Sequence, residues 1–237
     1  MLPEQVPLSK TTAIPNKCEY QAYKHDSLFE HAAWVYAFCR EHLFRDDTNR
    51  IVTTLWPDGR PPPGITLIEL GCGPGFYSCR LGAHFRQMLV TGVDRSAKQV
   101  QWAIERAQAL HLTNCCFKRI NALKLSCPDA AFDVVLASRL LTILPEQAGV
   151  IAEMYRVLKP GGRCFVAEPR YAFWASIPLL AMWLLVGVIP SESGYREPYK
   201  ATVFSADAFA NLFPAQPWKK IKTWQDGRYQ YALCEKG

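Results

Sequence analysis

The chain lacks most of what would settle a function by composition. No run of five or more lysines and arginines occurs in its 237 residues, although the formal net charge is +6. A spread excess fits a mildly basic solvated surface, and it leaves an anionic ligand, a nucleic acid or a membrane face open without selecting one. The nine cysteines form no Cys-x-x-Cys pair, and no histidine stands at zinc-finger spacing from them, so no metal is expected. Their number is odd, and several lie in apolar runs, as Cys164 does in Arg163-Cys164-Phe165-Val166. A free thiol there behaves as a small hydrophobe, which points to a reducing compartment. The segment Met1–Lys10 lacks the apolar core of a secretory signal, and a cytoplasmic location is the expectation. There is no internal repeat and no low-complexity tract. Charge is scarce as well, 20% against 49% apolar, which is a globular composition and not a disordered one. The length suffices for one α/β domain with a full core.

The most informative stretch present is Leu67-Ile68-Glu69-Leu70-Gly71-Cys72-Gly73-Pro74-Gly75. A short apolar run ends in an acidic residue and three glycines at alternate positions. This reads as a buried strand entering a tight turn, where the missing Cβ lets backbone approach a ligand. About 20 residues on, Leu89-Val90-Thr91-Gly92-Val93-Asp94 is a second apolar run ending in a carboxylate. A carboxylate at the tip of the next parallel strand can accept hydrogen bonds from a ribose. Together the two stretches predict a nucleoside cofactor.

The rest of the chain supplies the context. Residues 1–17 hold prolines and no periodicity and are expected to be a loose arm. Ser27-x-x-Glu30 has the pattern of a capping box, and Leu28, Ala32, Val35 and Cys39 then recur at helical spacing to about Phe44. The breaker Trp56-Pro57-Asp58-Gly59-Arg60-Pro61-Pro62-Pro63-Gly64 separates this part from the remainder. The expected division is an N-terminal arm and helical lid over 1–60 and a main core over 61–237. Within the core, strands are predicted at 65–70, 88–94, Cys115–Ile120, Phe132–Ser138 and Arg163–Glu168. Helices at about 75–86, from Ser96, and from Pro145 to a stop at Lys159-Pro160-Gly161-Gly162 alternate with them. Such alternation implies βαβ units and a parallel sheet. Trp218–Trp224 and Tyr229–Cys234 around Asp226-Gly227 read as a hairpin. The fold class expected is therefore α/β, a Rossmann-like doubly wound mixed sheet with an antiparallel C-terminal strand.

In this order the chain resembles the class I S-adenosylmethionine-dependent methyltransferases, of the type that acts on small molecules. The resemblance spans about residues 65–170. Glu69-Leu70-Gly71-Cys72-Gly73-Pro74-Gly75 is similar to the family's first motif and Val93-Asp94-Arg95-Ser96 to its acidic second one. Asn121-Ala122 stands where many members have Asp-Ala, and Phe132-Asp133-Val134-Val135 matches the fourth strand. Arg156-Val157-Leu158-Lys159-Pro160-Gly161-Gly162 is the most specific stretch. The resemblance implies a single domain around a seven-stranded sheet, and S-adenosylmethionine as cofactor. It also implies roles by position. The backbone from Gly71 through Cys72 and Gly73 to Gly75 would pass under the methionine part, and Glu69 would orient this turn. Asp94 would take the ribose hydroxyls, Arg95 would border the adenine, and Asn121 with Ala122 would face it. Ser138 and Arg139 would approach the reacting centre. Catalytic candidates are His25, His31, Tyr20 and Tyr23, in or before the first helix, which covers the cofactor in related enzymes.

Residues 171–190 carry no charge, and by length alone they could span a bilayer. Pro178 interrupts them and they lie inside the βαβ order, so three readings stay open: an apolar wall over the acceptor, a surface that rests on a membrane, or plain core. Tyr171, Trp174 and Trp183 are the candidate walls, in an apolar insertion over 171–200. The acceptor expected is a small, largely apolar or aromatic molecule. The alternatives are a non-catalytic cofactor-binding or scaffold module, and a lipid- or membrane-associated methyltransferase. No nucleic-acid partner is expected, since Ser138-Arg139-Leu140-Leu141 lacks the Asn/Asp-Pro-Pro-aromatic motif of many base-methylating enzymes.

Overall fold

A computed structural model of the chain describes residues 32–186 and 201–237, with backbone alone at Trp174, Leu185 and Val186. Its centre is a seven-stranded sheet in the order β3-β2-β1-β4-β5-β7-β6. The strands are β1 (Thr66–Leu70), β2 (Leu89–Asp94), β3 (Cys115–Arg119), β4 (Phe132–Ser138), β5 (Leu158–Pro169), β6 (Trp218–Asp226) and β7 (Tyr229–Lys236). The strands β1 to β5 pair in parallel. β7 lies antiparallel to β5, with Cys164 opposite Cys234, and β6 is antiparallel to β7. The α/β class, the mixed sheet and the closing hairpin are as the sequence predicts.

Every residue of β1 is buried, which is why its sequence is continuously apolar up to Glu69. A strand covered on both faces needs no polar side. Its alternate residues feed two cores. Ile68 and Leu70 join Val150, Ile151 and Met154 of helix α5 (Gln147–Val157) on one face. On the other, Leu67 meets Ile51 and Leu55 of α2 (Thr48–Leu55) and Phe76 and Leu81 of α3 (Phe76–His84). Helix α4 (Ala97–Ala109) is capped as its sequence indicates, Ser96 Oγ accepting from Gln99 N.

Four elements differ from expectation. The first described helix, α1, runs Ala33–His42; the Ser27 cap lies outside the described residues. Helix α2 has no strong sequence signal, being short and rich in Thr, Ile and Val. It forms because Ile51, Val52 and Leu55 are buried against the sheet and Asp46 Oδ1 accepts from Thr48 N at 2.9 Å. The Lys159-Pro160-Gly161-Gly162 stretch belongs to β5 and does not precede it. Gly161 takes φ +74° there, and the β4–β5 register shifts between Phe132 and Val134, the signature of a bulge. Cys127 departs from the all-reduced expectation, being disulfide-bonded. The other described cysteines are free.

The apolar run forms helix α6 (Ala172–Val186) with Pro178 inside it. One side, with Ala175, Leu179 and Met182, packs on Ala32, Val35 and Cys39 at α1. Phe173 and Leu184 point outward and are 70% and 75% exposed. Among the described residues no helix is long and apolar enough to cross a membrane. The remaining helix, α7 (Ala206–Ala210), buries Phe209.

The stretch before α2 is tied to the hairpin by one polar cluster. Tyr231 Oη donates to Asp47 at 3.1 Å and accepts from Arg45 Nη2. Arg45 and Arg50 also hold Asp226. Burial pushes the Asp47 carboxyl up, against the pull of Arg45 and Arg50. Tyr231→Phe removes the hydroxyl and strands buried partners, so a loss of about 1–3 kcal/mol is expected, read by urea unfolding. A variant as stable as wild type would show that the cluster does not depend on this hydroxyl.

Candidate functional site

Strand order reverses between β1 and β4, and the loops leaving the two strands part to open a crevice at their carboxyl ends. That is where open α/β sheets bind ligands. An open cavity occupies the crevice, with about 670 Å³ of space when the solvent at its mouth is included. Gly71 and Gly73 form its floor, Asp94 and Arg95 one side, and Ile120, Asn121 and Ala122 the end under β3. Arg139, Leu140, Ile143 and Leu144 form the opposite wall, and Tyr36 of α1 lies across the top.

The floor is glycine because side chains already stand at its edges. A Cβ on Gly71 would lie 2.8 Å from Leu140 Cδ1, and one on Gly73 would lie 3.1 Å from Tyr36 Cε1. Both residues also have positive φ. The turn is clamped by Asp94. One carboxylate oxygen accepts from Gly73 N and the other from Ser96 N, each at 2.9 Å. A carboxylate offers about four acceptor positions, so this clamp is compatible with further acceptance on the cavity side. Gln99, 1% exposed, donates through Nε2 to Ala33 O at 3.2 Å and so fastens α1 over the floor. Its Oε1 is buried without a hydrogen-bond partner among the described residues, 3.9 Å from where a Gly73 Cβ would stand. An orphan acceptor beside a glycine floor calls for a ligand that brings a donor.

The chain's match to known proteins agrees with this geometry. Residues 62–224 match the family described as a methyltransferase domain. The chain belongs to that family. The methyltransferase domain resembles 27-O-demethylrifamycin SV methyltransferase of Amycolatopsis mediterranei, at 40% identity over 44% of this chain and 39% of the relative. The chain thus spans about two fifths of that relative's length. Trans-aconitate 2-methyltransferase of an Azoarcus strain is 28% identical over 82% of this chain and 72% of its own. Magnesium protoporphyrin IX methyltransferase from Synechocystis shares the fold, with a TM-score of 0.62 at 16% identity, over 88% of this chain and 96% of that one.

Not every residue singled out in the sequence reaches the cavity of the methyltransferase domain. Gly71, Gly73, Asp94, Arg95, Asn121, Ala122 and Arg139 line it. Gly75 does not. It starts α3 in the left-handed conformation, and a Cβ there would lie 2.9 Å from Ala103 Cβ, so it serves close packing of α3 on α4. Cys72 points away into the cluster with Cys79 and Phe117. Ser138 pairs with Ala167 at the end of β4 and is not on the cavity wall, whereas Arg139 beyond it is. Asn121 Oδ1 accepts from Leu123 N at 3.0 Å, shaping its own turn. Tyr171 is half exposed and, like Trp183, lies outside the cavity wall. The Trp174 side chain and His25, His31, Tyr20 and Tyr23 lie outside the described residues.

Two buried carboxyls shape the walls without facing the cavity. Glu69 accepts from Ser78 N at 2.9 Å and from its hydroxyl, capping the amino end of α3. Glu168, at the end of β5, accepts from Leu140 N at 2.8 Å, Leu141 N at 2.7 Å, Thr142 N at 3.4 Å and Thr142 Oγ1 at 3.0 Å. It therefore holds the turn that carries Leu140 and Ile143 to the cavity. Sequence reasoning missed Glu168, Tyr36 and Gln99 as site residues. Of the three, Glu168 had a signal: it ends an apolar strand, as Glu69 and Asp94 do.

Burial pushes Glu69 and Glu168 up to about 7, against hydrogen bonds that favour the charged forms. A carboxyl held above its unfolded value of 4.5 stabilises the fold fully below that value. The contribution is lost as pH rises through the folded value. Stability should therefore fall between about pH 5 and pH 8, and the fall should be shallower in Glu168→Gln. Urea midpoints across that range test this; superimposable slopes would show that Glu168 does not titrate there.

Proposed function

We propose that the protein transfers the methyl group of S-adenosylmethionine to a small-molecule acceptor with an apolar or aromatic body. The observation that carries the reading is the Asp94 carboxylate. It stands at the end of β2 on the cavity wall, clamped to the glycine floor through Gly73 N. The donor-bearing parts of the cofactor suit this wall. Asp94 would accept from the ribose hydroxyls, and Gly71 and Gly73 would admit the methionine chain. Arg95, Asn121 and Ala122 would border the adenine. The orphan Gln99 Oε1 would take a donor that the described protein does not supply.

When bound, S-adenosylmethionine supplies a methyl group already activated on a sulfonium. What remains for the chain is to hold the acceptor in line and keep water out. Positioning of two reactants can supply about 7–11 kcal/mol, so an acceptor that loses no proton needs no base. Tyr36 fits a positioning role. Burial, the largest influence on it, pushes its hydroxyl up to about 12, so near neutral pH it is a hydrogen-bond donor and not a base. Arg139 brings a fixed positive charge to the opposite wall.

Retention of the glycine floor and of Asp94 favours an enzyme over a scaffold, which has no use for either. A lipid-associated variant of the same reaction is favoured by one further feature. Trp34 and Phe38 on α1 and Phe173, Leu180 and Leu184 on α6 are exposed, and the two helices pack together beside the cavity. Co-sedimentation with lipid vesicles would separate the variants, since a protein that stays in the supernatant acts on a dissolved acceptor.

Two measurements test the main reading. Asp94→Ala should weaken S-adenosylmethionine binding by more than about 1 kcal/mol, because it leaves buried ligand donors unmatched. Calorimetric titration reads this directly, with circular dichroism to check the fold, and an unchanged dissociation constant would remove Asp94 from the site. Incubation of small-molecule pools with isotope-labelled methyl donor should yield a labelled product. A protein that binds the donor and labels nothing is a binding module.

A further inference from the structure

Gln99 stands in the first turn of α4, where its backbone N donates to the Ser96 cap at 3.2 Å. Its side chain reaches α1: Nε2 donates to Ala33 O, at the start of that helix, at 3.2 Å. The oxygen of the same planar amide lies 3.9 Å from where a Gly73 Cβ would stand. A reversed amide would set its oxygen against the Ala33 carbonyl, so Ala33 fixes which end is turned to the glycine floor. Gln99 and Gly73 both line the crevice. Gln99 is 1% exposed, and among the described residues its Oε1 is buried without a donor. Such an oxygen carries the full desolvation penalty until a donor reaches it. The cover stands close by, with Tyr36 Cε1 3.1 Å from the same Gly73 position. A donor brought by a ligand therefore enters beneath α1.

On the methyl-transfer reading the ligand has three kinds of donor: the adenine amine, the ribose hydroxyls and the methionine ammonium. That reading sets the adenine at the Asn121 end of the cavity and the hydroxyls at Asp94, and it runs the methionine chain over Gly71 and Gly73. The ammonium is the donor left for Gln99. Its hydrogen bond to the amide oxygen is charge-assisted and about twice as strong as one between neutral groups. Acceptance at Oε1 also polarises the amide. The N–H of the same amide then donates more strongly to Ala33 O, since hydrogen bonds in a chain reinforce one another.

We infer that Gln99 is a positioning residue that couples the cofactor to the cover: Oε1 accepts from the methionine ammonium while Nε2 holds Ala33 O, so the ligand itself fastens α1 over the crevice. The inference rests on the methyl-transfer reading for the identity of the ligand. It makes closure selective, because an adenosine derivative without the ammonium would fill the crevice and leave α1 held no better than before.

Calorimetric titration of the full chain with S-adenosylhomocysteine and with its deamino analogue tests this, beside hydrogen exchange of the α1 amides. The analogue keeps the nucleoside, the thioether and the carboxylate. Wild type should bind S-adenosylhomocysteine at least tenfold more tightly than the analogue, and only the former should slow exchange over Ala33–His42. In Gln99→Leu the preference should shrink at least fivefold and the slowing should vanish. Gln99→Glu separates the two ends of the amide. At about pH 8 its carboxyl is ionised beside the cation. It should keep the preference, by acceptance, and lose the slowing, because it donates nothing to Ala33 O. Circular dichroism checks the fold of each variant, and Gln99→Glu decides alone if Gln99→Leu does not fold. Three results would overturn the proposal: an unchanged preference in Gln99→Leu, an equal loss of affinity for both ligands, or exchange in Gln99→Glu that slows as in wild type. Binding of neither ligand by wild type would overturn the methyl-transfer reading, and with it the ligand named here.

Discussion

Backbone N–H groups that leave the carboxyl end of a parallel strand have no ladder partner, and a buried one must find another acceptor. In this fold the acceptor is a carboxylate at the end of a strand, three times over. Glu69 on β1 takes the free amide at the start of α3. Asp94 on β2 takes the amide of Gly73 in the neighbouring loop and that of Ser96 in its own. Glu168 on β5 takes three successive amides of the loop after β4. Each acid thus fixes a loop that leaves a strand end around the crevice. The cavity has a defined shape because these loops are held from below, where no ligand is needed to order them.

Much of this could be read in the sequence, for a physical reason. A strand buried on both faces has to be apolar, so an acid at its end stands out, and Glu69 and Asp94 do. The glycine spacing shows the turn, because Gly71 has no room for a Cβ against Leu140, and Gly73 has a positive φ and only a tight fit against Tyr36. The placement of Gly75, Cys72 and Ser138 was not legible. All three sit within the right motifs, but which way a turn residue faces is settled by packing, here by Ala103 and Phe117 against Gly75. Tyr36 and Gln99 were invisible as site residues for a related reason. Tyr36 reaches the floor only because α1 lies across the crevice, held there by contacts with α6. Gln99 reads locally as part of a helix start, and only the tertiary structure shows its amide joining α1 to α4.

The attachment of α1 differs in kind from the rest of the core. The sheet is held by two large apolar clusters, whereas α1 meets α6 in a separate, smaller cluster, with Val35 and Cys39 against Ala175, Leu179 and Met182. Burial stabilises in proportion to apolar area, at about 25 cal/mol per Å², and among the described residues the cluster at α1 is smaller than either cluster of the sheet. Arginines against aromatic rings supplement it. Arg40 of α1 lies 4.0 Å from the Phe76 ring centre and 4.4 Å from that of Tyr77. Such contacts are worth about 0.5–2 kcal/mol each, the upper end when desolvated, and Arg40 is 5% exposed. Among the described residues α1 is therefore held over the crevice by these directional contacts and one apolar cluster. Elements with few large buried contacts open at lower free energy than the core they rest on. We propose that a ligand entering between α1 and the glycine floor uses that ordering of stabilities, the sheet and its three carboxylate-held loops staying fixed while α1 yields.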